Sequence, residues 1–285
     1  MKFSKYHGSG NDFILIDNRR KEVQEFLIEV RKDIDDFVRK ICAPHTGIGA
    51  DGLILIEDPN NPDNHFKWKF FNSNGSVGEM CGNGARCAIK FAYDSEVVRK
   101  DCKIVRFETL VGVIEGQILE GGRSVKVRLT KPLIIEEALT INLGEITLEG
   151  TYLEVGAPHF VVEVKDLEKL DIIKLGREIR RNKAFEPRGT NVNFVKLLGR
   201  DTIAVRTYER GVENETLSCG TGVAASALTC FLKGKIKERK VKVITKLGEV
   251  LEVSFEDTDE LYLKGGVVKV FDGILCKEMF GLNGD

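Results

Sequence analysis

Long apolar stretches are missing from this chain of 285 residues. A membrane-spanning helix needs about 18 or more consecutive apolar residues, and no run in the sequence approaches that length. The first residues, MKFSKYHGSGND, also lack the apolar core of a secretory signal peptide. We therefore expect a cytoplasmic protein that has no membrane as a partner.

An excess of charge of either sign is missing too. Lysine and arginine number 43 against 44 acidic residues, which gives a formal net charge of -1. Nucleic acids and anionic membranes attract proteins through a strong positive field, so neither is expected as the main partner. With 42% hydrophobic residues, the chain can bury the core of one large or two medium domains, which excludes disordered and collagen-like classes.

Paired cysteines are absent as well. The seven cysteines are an odd number and none lies in a C-x-x-C pair, so neither a disulfide framework nor a common zinc site is predicted. The loop at 7–13, HGSGNDF, has Gly-x-Gly but no third glycine, and it does not fit a dinucleotide-binding fingerprint. No metal, flavin or pyridoxal feature occurs, so we expect no metal and no cofactor.

What the sequence does contain is a long series of short segments rich in β-branched and aromatic residues and bounded by Gly, Asp or Asn. Such segments are typical of strands, and they predict an α+β fold with mainly antiparallel sheets. The predicted strands are Phe13–Asp17, Gly52–Glu57, Phe66–Asn72, Ile104–Leu110, Gly112–Leu119, Val125–Leu129, His159–Val164, Asn193–Leu198, Thr202–Glu209, Val241–Ile244, Glu249–Phe255 and Leu261–Val270.

Two amphipathic and two apolar helices are predicted between these strands. Apolar residues at spacings of three and four predict surface helices over Lys21–Cys42 and near Leu167–Arg181. The other two follow Cys-Gly-Asn-Gly at 81–84 and Cys-Gly-Thr-Gly at 219–222. Because the second of these is apolar on nearly every side, we expect each to be the central helix of its own domain.

The surroundings of the two Cys-Gly-x-Gly motifs resemble each other. In both, a strand and a polar turn precede the motif and a helix follows it, and Cys219 lies 138 positions after Cys81. This spacing is close to half the chain and indicates an ancestral duplication. We expect two pseudo-symmetric domains, residues 1–128 plus 272–285 and residues 129–271, with the active site in the cleft between them.

Both motifs place a cysteine immediately before a glycine-rich helix start. The partial positive charge and unsatisfied N–H groups of a helix N-terminus favour thiolate over thiol and can bind a carboxylate. A single cysteine in such a place is more often a small buried residue, but two in matched settings favour a function. If one is a thiolate and the other a thiol, they can remove and deliver a proton on opposite faces of a carbon and invert the stereocentre.

At these residues the sequence resembles the diaminopimelate epimerase family, which interconverts LL- and meso-diaminopimelate for lysine and peptidoglycan synthesis without a cofactor. The resemblance implies that each domain is a β-barrel-like sheet around a central helix, and that the substrate is a small amino acid. We expect a homodimer. The shared motifs are HGSGNDF at 7–13, HTGIGADGL at 45–53, FNSNGS at 71–76, MCGNGARC at 80–87, GAPH at 156–159, TNVNF at 190–194, YERG at 208–211 and SCGTG at 218–222.

The resemblance also implies roles for individual residues. Cys81 and Cys219 would be the acid/base thiols, and His159 and Glu209 would orient or tune them. The substrate would be held by Asn11, Asn72, Asn191, Glu209 and Arg210, with donors to its α-carboxylate from Gly82, Asn83, Gly220 and Thr221. In two places the chain departs from the family: Ala157 replaces an Asn that commonly contacts the distal end of the substrate, and Asn72–Ser76 reads NSNGS where NADGS is usual.

Three other functions fit some of these residues. A racemase for proline, hydroxyproline or histidine on the same scaffold would keep both cysteines but would need no polar clamp on a distal amino-carboxylate. A non-catalytic thiol redox switch would leave Asn11, Asn191, Glu209 and Arg210 unexplained. A cysteine hydrolase using His159 would have two equivalent nucleophiles and no evident leaving-group chemistry.

Overall fold

The structure is a computed structural model that describes residues 1–144, 146–257 and 259–281. It is an α+β protein in which strands outnumber helices. The chain divides into two compact units: Met1–Val127 together with the segment that begins at Gly266, and Arg128–Gly265. Within the described ranges, no helix has the length and apolar character needed to cross a membrane.

The helices and strands have the following bounds. The first half contains β1 Lys2–Gly8, β2 Asn11–Asp17, α1 Glu22–Val30, α2 Ile34–Cys42, β3 Gly52–Glu57, β4 Phe66–Asn72, β5 Val77–Gly78, α3 Gly82–Asp94, β6 Ile104–Thr109, β7 Gly112–Leu119 and β8 Ser124–Arg128. The second half contains β9 Leu133–Asn142, β10 Thr147–Glu154, β11 Pro158–Glu163, α4 Ile172–Arg180, β12 Asn191–Leu197, β13 Thr202–Glu209, β14 Asn214–Thr216, α5 Gly220–Leu232, β15 Lys240–Ile244, β16 Val250–Phe255, β17 Leu261–Gly266 and β18 Val268–Ile274.

The strands of the two units are connected in the same way. In the first unit, β2 runs parallel to β3 and β4 parallel to β6, and the other neighbours in the order β18-β1-β2-β3-β4-β6-β7-β8 are antiparallel. In the second, β11 with β12 and β13 with β15 are the parallel pairs in the order β9-β10-β11-β12-β13-β15-β16-β17. This repeated topology agrees with the duplication that the sequence predicts.

The two repeats are β1–β9 and β10–β18. The last strand of each repeat pairs with the first strand of the other. β9 follows β8 in the chain but pairs with β10, and β18 follows β17 but pairs with β1. This exchange is the reason that the first unit includes a C-terminal segment. The second domain expected from the sequence, 129–271, includes part of β18. The predicted strand Leu261–Val270 is two strands, β17 and β18, and Gly265 and Gly266 lie immediately before the break at Val267. The domain boundaries themselves stay a prediction.

Each unit encloses one helix. The first, α3, buries Ala85, Cys87, Ala88 and Ile89 completely, and these residues pack with strands across the first sheet. Helix α5 packs in the same way inside the second sheet. The expectation that each domain wraps its sheet around a central helix is therefore confirmed, and the enclosure explains why α5 has almost no polar face.

The outer face of each sheet is covered by shorter helices. α1 and α2 pack on the residues of β2 and β3 that point away from α3, and α4 packs in the same manner on β11 and β12. Because these strands are buried on both faces, they are nearly continuous apolar runs rather than alternating ones. The side chains that approach α3 and α5 are fixed by this packing.

Two helix predictions need correction. The predicted helix Lys21–Cys42 is two helices, because Arg31 adopts a left-handed conformation with φ 51° and the N–H of Lys32 closes the end of α1 on Leu27. The predicted helix at Leu167–Arg181 begins later, at Ile172, where the side chain of Asp171 accepts a hydrogen bond from Lys174 N. In both cases the apolar spacing continues beyond the true helix boundary, so periodicity alone does not reveal where the helix begins or ends.

Candidate active site

Cys81 is the N-cap residue of α3, as the sequence predicts. Its sulfur accepts a hydrogen bond from the N–H of Gly84 at 3.4 Å, and its S–H donates to Asn11 Oδ1 at 3.5 Å. The thiol is partly buried. It therefore lies at the positive end of a helix, beside the amide of the first residue of β2.

The amide of Asn11 is held in one orientation by Asp51. Asn11 Nδ2 donates to Asp51 Oδ2 at 2.6 Å, which leaves Oδ1 to face Cys81 and to accept from Asn83 Nδ2 at 3.4 Å. Burial raises the pKa of Asp51. Asp51 lies within the shared motif at 45–53 but was assigned no role from the sequence, because its partner is distant in the chain.

Arg86 is a second residue near Cys81 that was not predicted from the sequence. It is fully buried in α3, and its guanidinium donates to Ser9 Oγ at 2.9 Å, to Asn83 Oδ1 at 2.7 Å and to the carbonyl of Gly266 at 2.9 Å. These bonds join the loop before β2, the first turn of α3 and the start of the C-terminal segment. We call Asn11, Asp51, Cys81, Asn83 and Arg86 the Cys81 cluster.

The remaining predicted residues of the first unit lie at the ends of elements. Gly82 is the first residue of α3 and is buried. Asn72 ends β4, where its side chain donates to Ser76 Oγ at 3.0 Å and so closes the turn. The following residue, Ser73, donates its N–H to the carbonyl of Asp51, so this turn is attached to the Cys81 cluster.

Cys219 is the N-cap residue of α5, and its side chain is buried. Thr221, two residues further on, places its hydroxyl 3.5 Å from the Cys219 sulfur. Gly220 is the first residue of the helix and is buried as well. The second motif therefore has the same position at a helix start as the first.

A chain of buried polar side chains leads to Thr221. Thr207 donates to Asn193 Oδ1 at 3.0 Å, Asn193 Nδ2 is 3.1 Å from His159 Nδ1, and His159 Nε2 is 3.0 Å from Thr221 Oγ1. His159 and Thr221 are predicted from the sequence as site residues, whereas Asn193 and Thr207 are not. We call His159, Asn193, Thr207, Cys219 and Thr221 the Cys219 cluster.

Asn191 and Arg210 lie together beside this cluster. The N–H of Arg210 donates to Asn191 Oδ1 at 2.8 Å, and Asn191 Nδ2 donates to the carbonyl of Pro158, next to His159. Glu209, at the end of β13, pairs with Asn214 across the sheet. The structure therefore brings the predicted residues of YERG and TNVNF to one end of β12 and β13.

Three arginines are grouped at the same place. The Arg210 guanidinium donates to the carbonyl of Arg188, and its pKa is lowered by burial and by the nearby charges of Arg188 and Arg180. Those two neighbours form salt bridges with Glu154 and Glu213, whereas Arg210 forms none with the described residues. An added carboxylate would therefore relieve an excess of positive charge at Arg210.

His159 is neutral in this setting. It is completely buried, and burial followed by the charge of Arg210 lowers its pKa from 6.5 to about 3. A neutral imidazole has one donor and one acceptor nitrogen, which suits its position between an amide and a hydroxyl.

The low pKa of His159 predicts a loss of stability in acid. Because the unfolded chain binds a proton on this ring near pH 6.5 and the folded chain only near pH 3, the free energy of unfolding falls as the pH falls between these values. The slope from one extra proton is about 1.4 kcal/mol per pH unit. Urea unfolding at several pH values should show a slope that is shallower by this amount in His159→Gln; equal slopes would contradict the prediction.

No group of three or more His, Cys, Asp or Glu side chains in the described parts of the chain is arranged to hold a metal ion. The two clusters contain thiols, amides, hydroxyls and helix N–H groups. These groups can exchange protons and bind carboxylates.

Comparison with known proteins gives the family. A sequence-family model described as diaminopimelate epimerase matches residues 3–135 and 151–270. A diaminopimelate epimerase of Aquifex aeolicus (strain VF5) is 55% identical over 281 residues, which cover 98% of this chain and 99% of that protein. This chain belongs to the diaminopimelate epimerase family. Another protein of that name, from Archaeoglobus fulgidus, is 40% identical over 283 residues, 96% of this chain and 95% of the relative.

The fold of this diaminopimelate epimerase family member is shared with more distant proteins. A probable proline racemase from Agrobacterium radiobacter K84 superposes with a TM-score of 0.72 at 14% identity, over 96% of this chain and 92% of the other. A hydroxyproline epimerase from Agrobacterium vitis gives the same score and identity over 96% and 91%. At this identity the likeness shows the fold alone.

Proposed function

We propose that the protein is a diaminopimelate epimerase that interconverts the LL and meso forms through two cysteines and without a cofactor. The observation that carries the proposal is the placement of Cys81 and Cys219 at the N-caps of the two enclosed helices, at equivalent points of the repeated topology. The relatives that bear this name cover nearly the whole chain.

The reaction needs one thiolate and one thiol. The thiolate takes the α-proton from one face of the substrate carbon, and the thiol gives its proton to the other face, so that the configuration inverts and the two cysteines exchange protonation states. The reverse reaction uses them in the opposite roles. Such a mechanism requires that both sulfur atoms reach the same α-carbon.

The α-proton is weakly acidic, so the negative charge that develops on the α-carboxylate must be stabilised. We assign this to the N–H groups at the starts of α3 and α5, from Gly82, Asn83, Gly220 and Thr221. The helix dipoles add a favourable potential at the same points. His159 and Glu209 are proposed to orient the thiols, and Asn11, Asn72 and Asn191 to hold the polar groups of the substrate.

Arg210 is proposed to bind a carboxylate of diaminopimelate. Its position beside Arg180 and Arg188 supports this role, because a substrate carboxylate would complete the charge balance of the group. The N–H of Arg210 is held by Asn191, so the side chain starts from a fixed point.

Replacing Arg210 by lysine is expected to raise KM for diaminopimelate by about tenfold, because lysine keeps the charge but loses the planar two-donor geometry. Steady-state kinetics on both isomers would measure the change. Arg200→Lys, at an exposed turn of the same unit, is the matched control and should behave like the wild type. An unchanged KM in Arg210→Lys would place this side chain outside the substrate site.

The proposed function is tested by solvent-deuterium incorporation. Purified protein in D₂O should exchange the α-hydrogen of both LL- and meso-diaminopimelate and interconvert them. A panel with proline, hydroxyproline and histidine separates this activity from that of a related racemase. If no α-hydrogen of any of these amino acids exchanges, the cysteines do not perform the proposed reaction and a thiol switch becomes the better hypothesis.

We also propose that the protein acts in lysine and peptidoglycan precursor synthesis as a cytoplasmic homodimer. A reaction that depends on two reduced thiols suits a reducing compartment. Sedimentation equilibrium measures the oligomeric state directly, with a mass of 31.8 kDa for a monomer.

A further inference from the structure

The Cys219 cluster contains polar groups that the fold itself does not require. The strand registers pair Phe13 with Gly52 in the first unit and His159 with Asn191 in the second, so Phe13 is the counterpart of His159. By the same registers Ile54 is the counterpart of Asn193, and Phe70 is the counterpart of Thr207. One unit therefore packs three apolar side chains where the other buries three polar ones.

Burying polar side chains is costly unless each is hydrogen-bonded, and the first unit shows that apolar residues fill the same positions. His159 and Asn193 are completely inaccessible to solvent, and Thr207 is nearly so. A polar chain at this cost, ending at the hydroxyl beside Cys219, indicates a role in the chemistry of that cysteine rather than in folding.

The direction of the hydrogen bonds follows from the donors. Because the Thr207 hydroxyl donates to Asn193 Oδ1, the amide nitrogen of Asn193 faces His159 Nδ1. An amide NH₂ can only donate, so Nδ1 must accept, and the single ring proton of neutral His159 is on Nε2. Nε2–H then donates to Thr221 Oγ1, whose own proton is directed away from the ring.

We infer that Asn193 and Thr207 are positioning residues that hold His159 as the Nε2–H tautomer, so that the Thr221 hydroxyl donates to the sulfur of Cys219. This inference rests on the proposed function. A donor fixed at the sulfur favours thiolate over thiol, because hydrogen bonding to the charged form stabilises that form. The low pKa of His159 agrees with a ring that stays neutral throughout.

Asn193→Asp tests the inference with almost no change in size. A carboxylate accepts instead of donating, so the ring proton must move to Nδ1, Nε2 must accept from Thr221, and the donor to Cys219 is withdrawn. We expect kcat to fall by about 10-fold to 100-fold with KM little changed. Thr207→Val removes the hydrogen bond that holds the amide of Asn193 in one orientation, and it should reduce kcat by less.

The matched control is Thr151→Val. Thr151 is a buried residue of the same unit whose hydroxyl donates to the carbonyl of Glu137 at 2.9 Å and has no bond to the Cys219 cluster. It should lower stability about as much as Thr207→Val but leave kcat unchanged. Equal losses of kcat in both valine variants would mean that only packing is affected, and would overturn the inference.

The tautomer can be observed without any activity measurement. The protein has only four histidines, so ¹⁵N-histidine labelling gives few signals, and His159→Gln identifies the one from His159. The inference requires Nε2–H in the wild type and in Thr151→Val, and Nδ1–H in Asn193→Asp. Nδ1–H in the wild type would overturn it even if the enzyme epimerises diaminopimelate, whereas Nε2–H in a protein without that activity would count against the proposed function alone. If Asn193→Asp does not fold, the inference is tested by the wild-type tautomer and by the kcat values of Thr207→Val and Thr151→Val.

Discussion

Serine in place of either Cys81 or Cys219 is expected to slow epimerisation by about 100-fold to 10,000-fold in both directions, the range typical of losing one acid/base group. In the proposed mechanism, each thiol acts as the base in one direction and as the acid in the other. A serine hydroxyl has nearly the same shape but is far too weak a base at neutral pH. At position 81 the cap bond from the N–H of Gly84 to the side chain is kept, because serine is a favourable N-cap residue.

The measurement is the initial rate from LL- to meso-diaminopimelate and back, together with thermal unfolding of each variant. Cys276→Ser is the matched control, because Cys276 is exposed and lies outside both clusters. It should retain wild-type rates. Near-normal turnover by Cys81→Ser or Cys219→Ser in either direction would rule out the two-base assignment.

The starts of the two enclosed helices could be predicted from the sequence because the signals are local. A cysteine, two glycines and an apolar helix lie within a few positions of each other at 81–94 and at 219–232. The identical arrangement in two places also indicated the duplication. The helix break at Arg31 could not be predicted, since a left-handed arginine has no sequence signal of its own.

The supporting residues of the site could not be predicted because their partners are far away in the chain. Arg86 bonds to Gly266, 180 positions later, and Asp51 bonds to Asn11, 40 positions earlier. The pairing of β18 with β1, at opposite ends of the chain, is of the same kind. Such pairings depend on strand register, which a pattern of apolar residues constrains only weakly for strands buried on both faces.

The two Cys-Gly-x-Gly motifs look equivalent in sequence, but the structure gives their last glycines different neighbours. A Cβ on Gly84 would lie 3.3 Å from the tip of Ile54 and 3.4 Å from the rim of Phe13. A Cβ on Gly222 would overlap Asn193 Oδ1 and lie 3.3 Å from Asn193 Cγ. The polar chain of the Cys219 cluster therefore requires glycine at 222, whereas the apolar packing at 84 can adjust by a few tenths of an ångström.

Gly222→Ala is consequently expected to be far more harmful than Gly84→Ala. In a helix interior alanine is favoured over glycine by about 0.5–1 kcal/mol, so Gly84→Ala should change the free energy of unfolding by no more than about 0.5 kcal/mol in either direction. In Gly222→Ala the overlap costs about 1–3 kcal/mol, which exceeds that gain. It also pushes the Asn193 amide away from His159, so kcat should fall by about tenfold or more.

Urea unfolding and steady-state kinetics on the two alanine variants give the comparison, with each glycine serving as the control for the other. Both substitutions keep the backbone N–H groups at the helix start. Both also place the new Cβ close to the Cβ of the N-cap cysteine, 3.4 Å from Cys81 and 3.3 Å from Cys219, so this contact is common to the two variants. A difference between them therefore reports on the neighbours and not on the loss of a glycine as such. If both variants lose activity equally while remaining folded, the substrate must require glycine at both Gly84 and Gly222. The difference between the apolar neighbours of Gly84 and the polar neighbours of Gly222 would then have no bearing on catalysis.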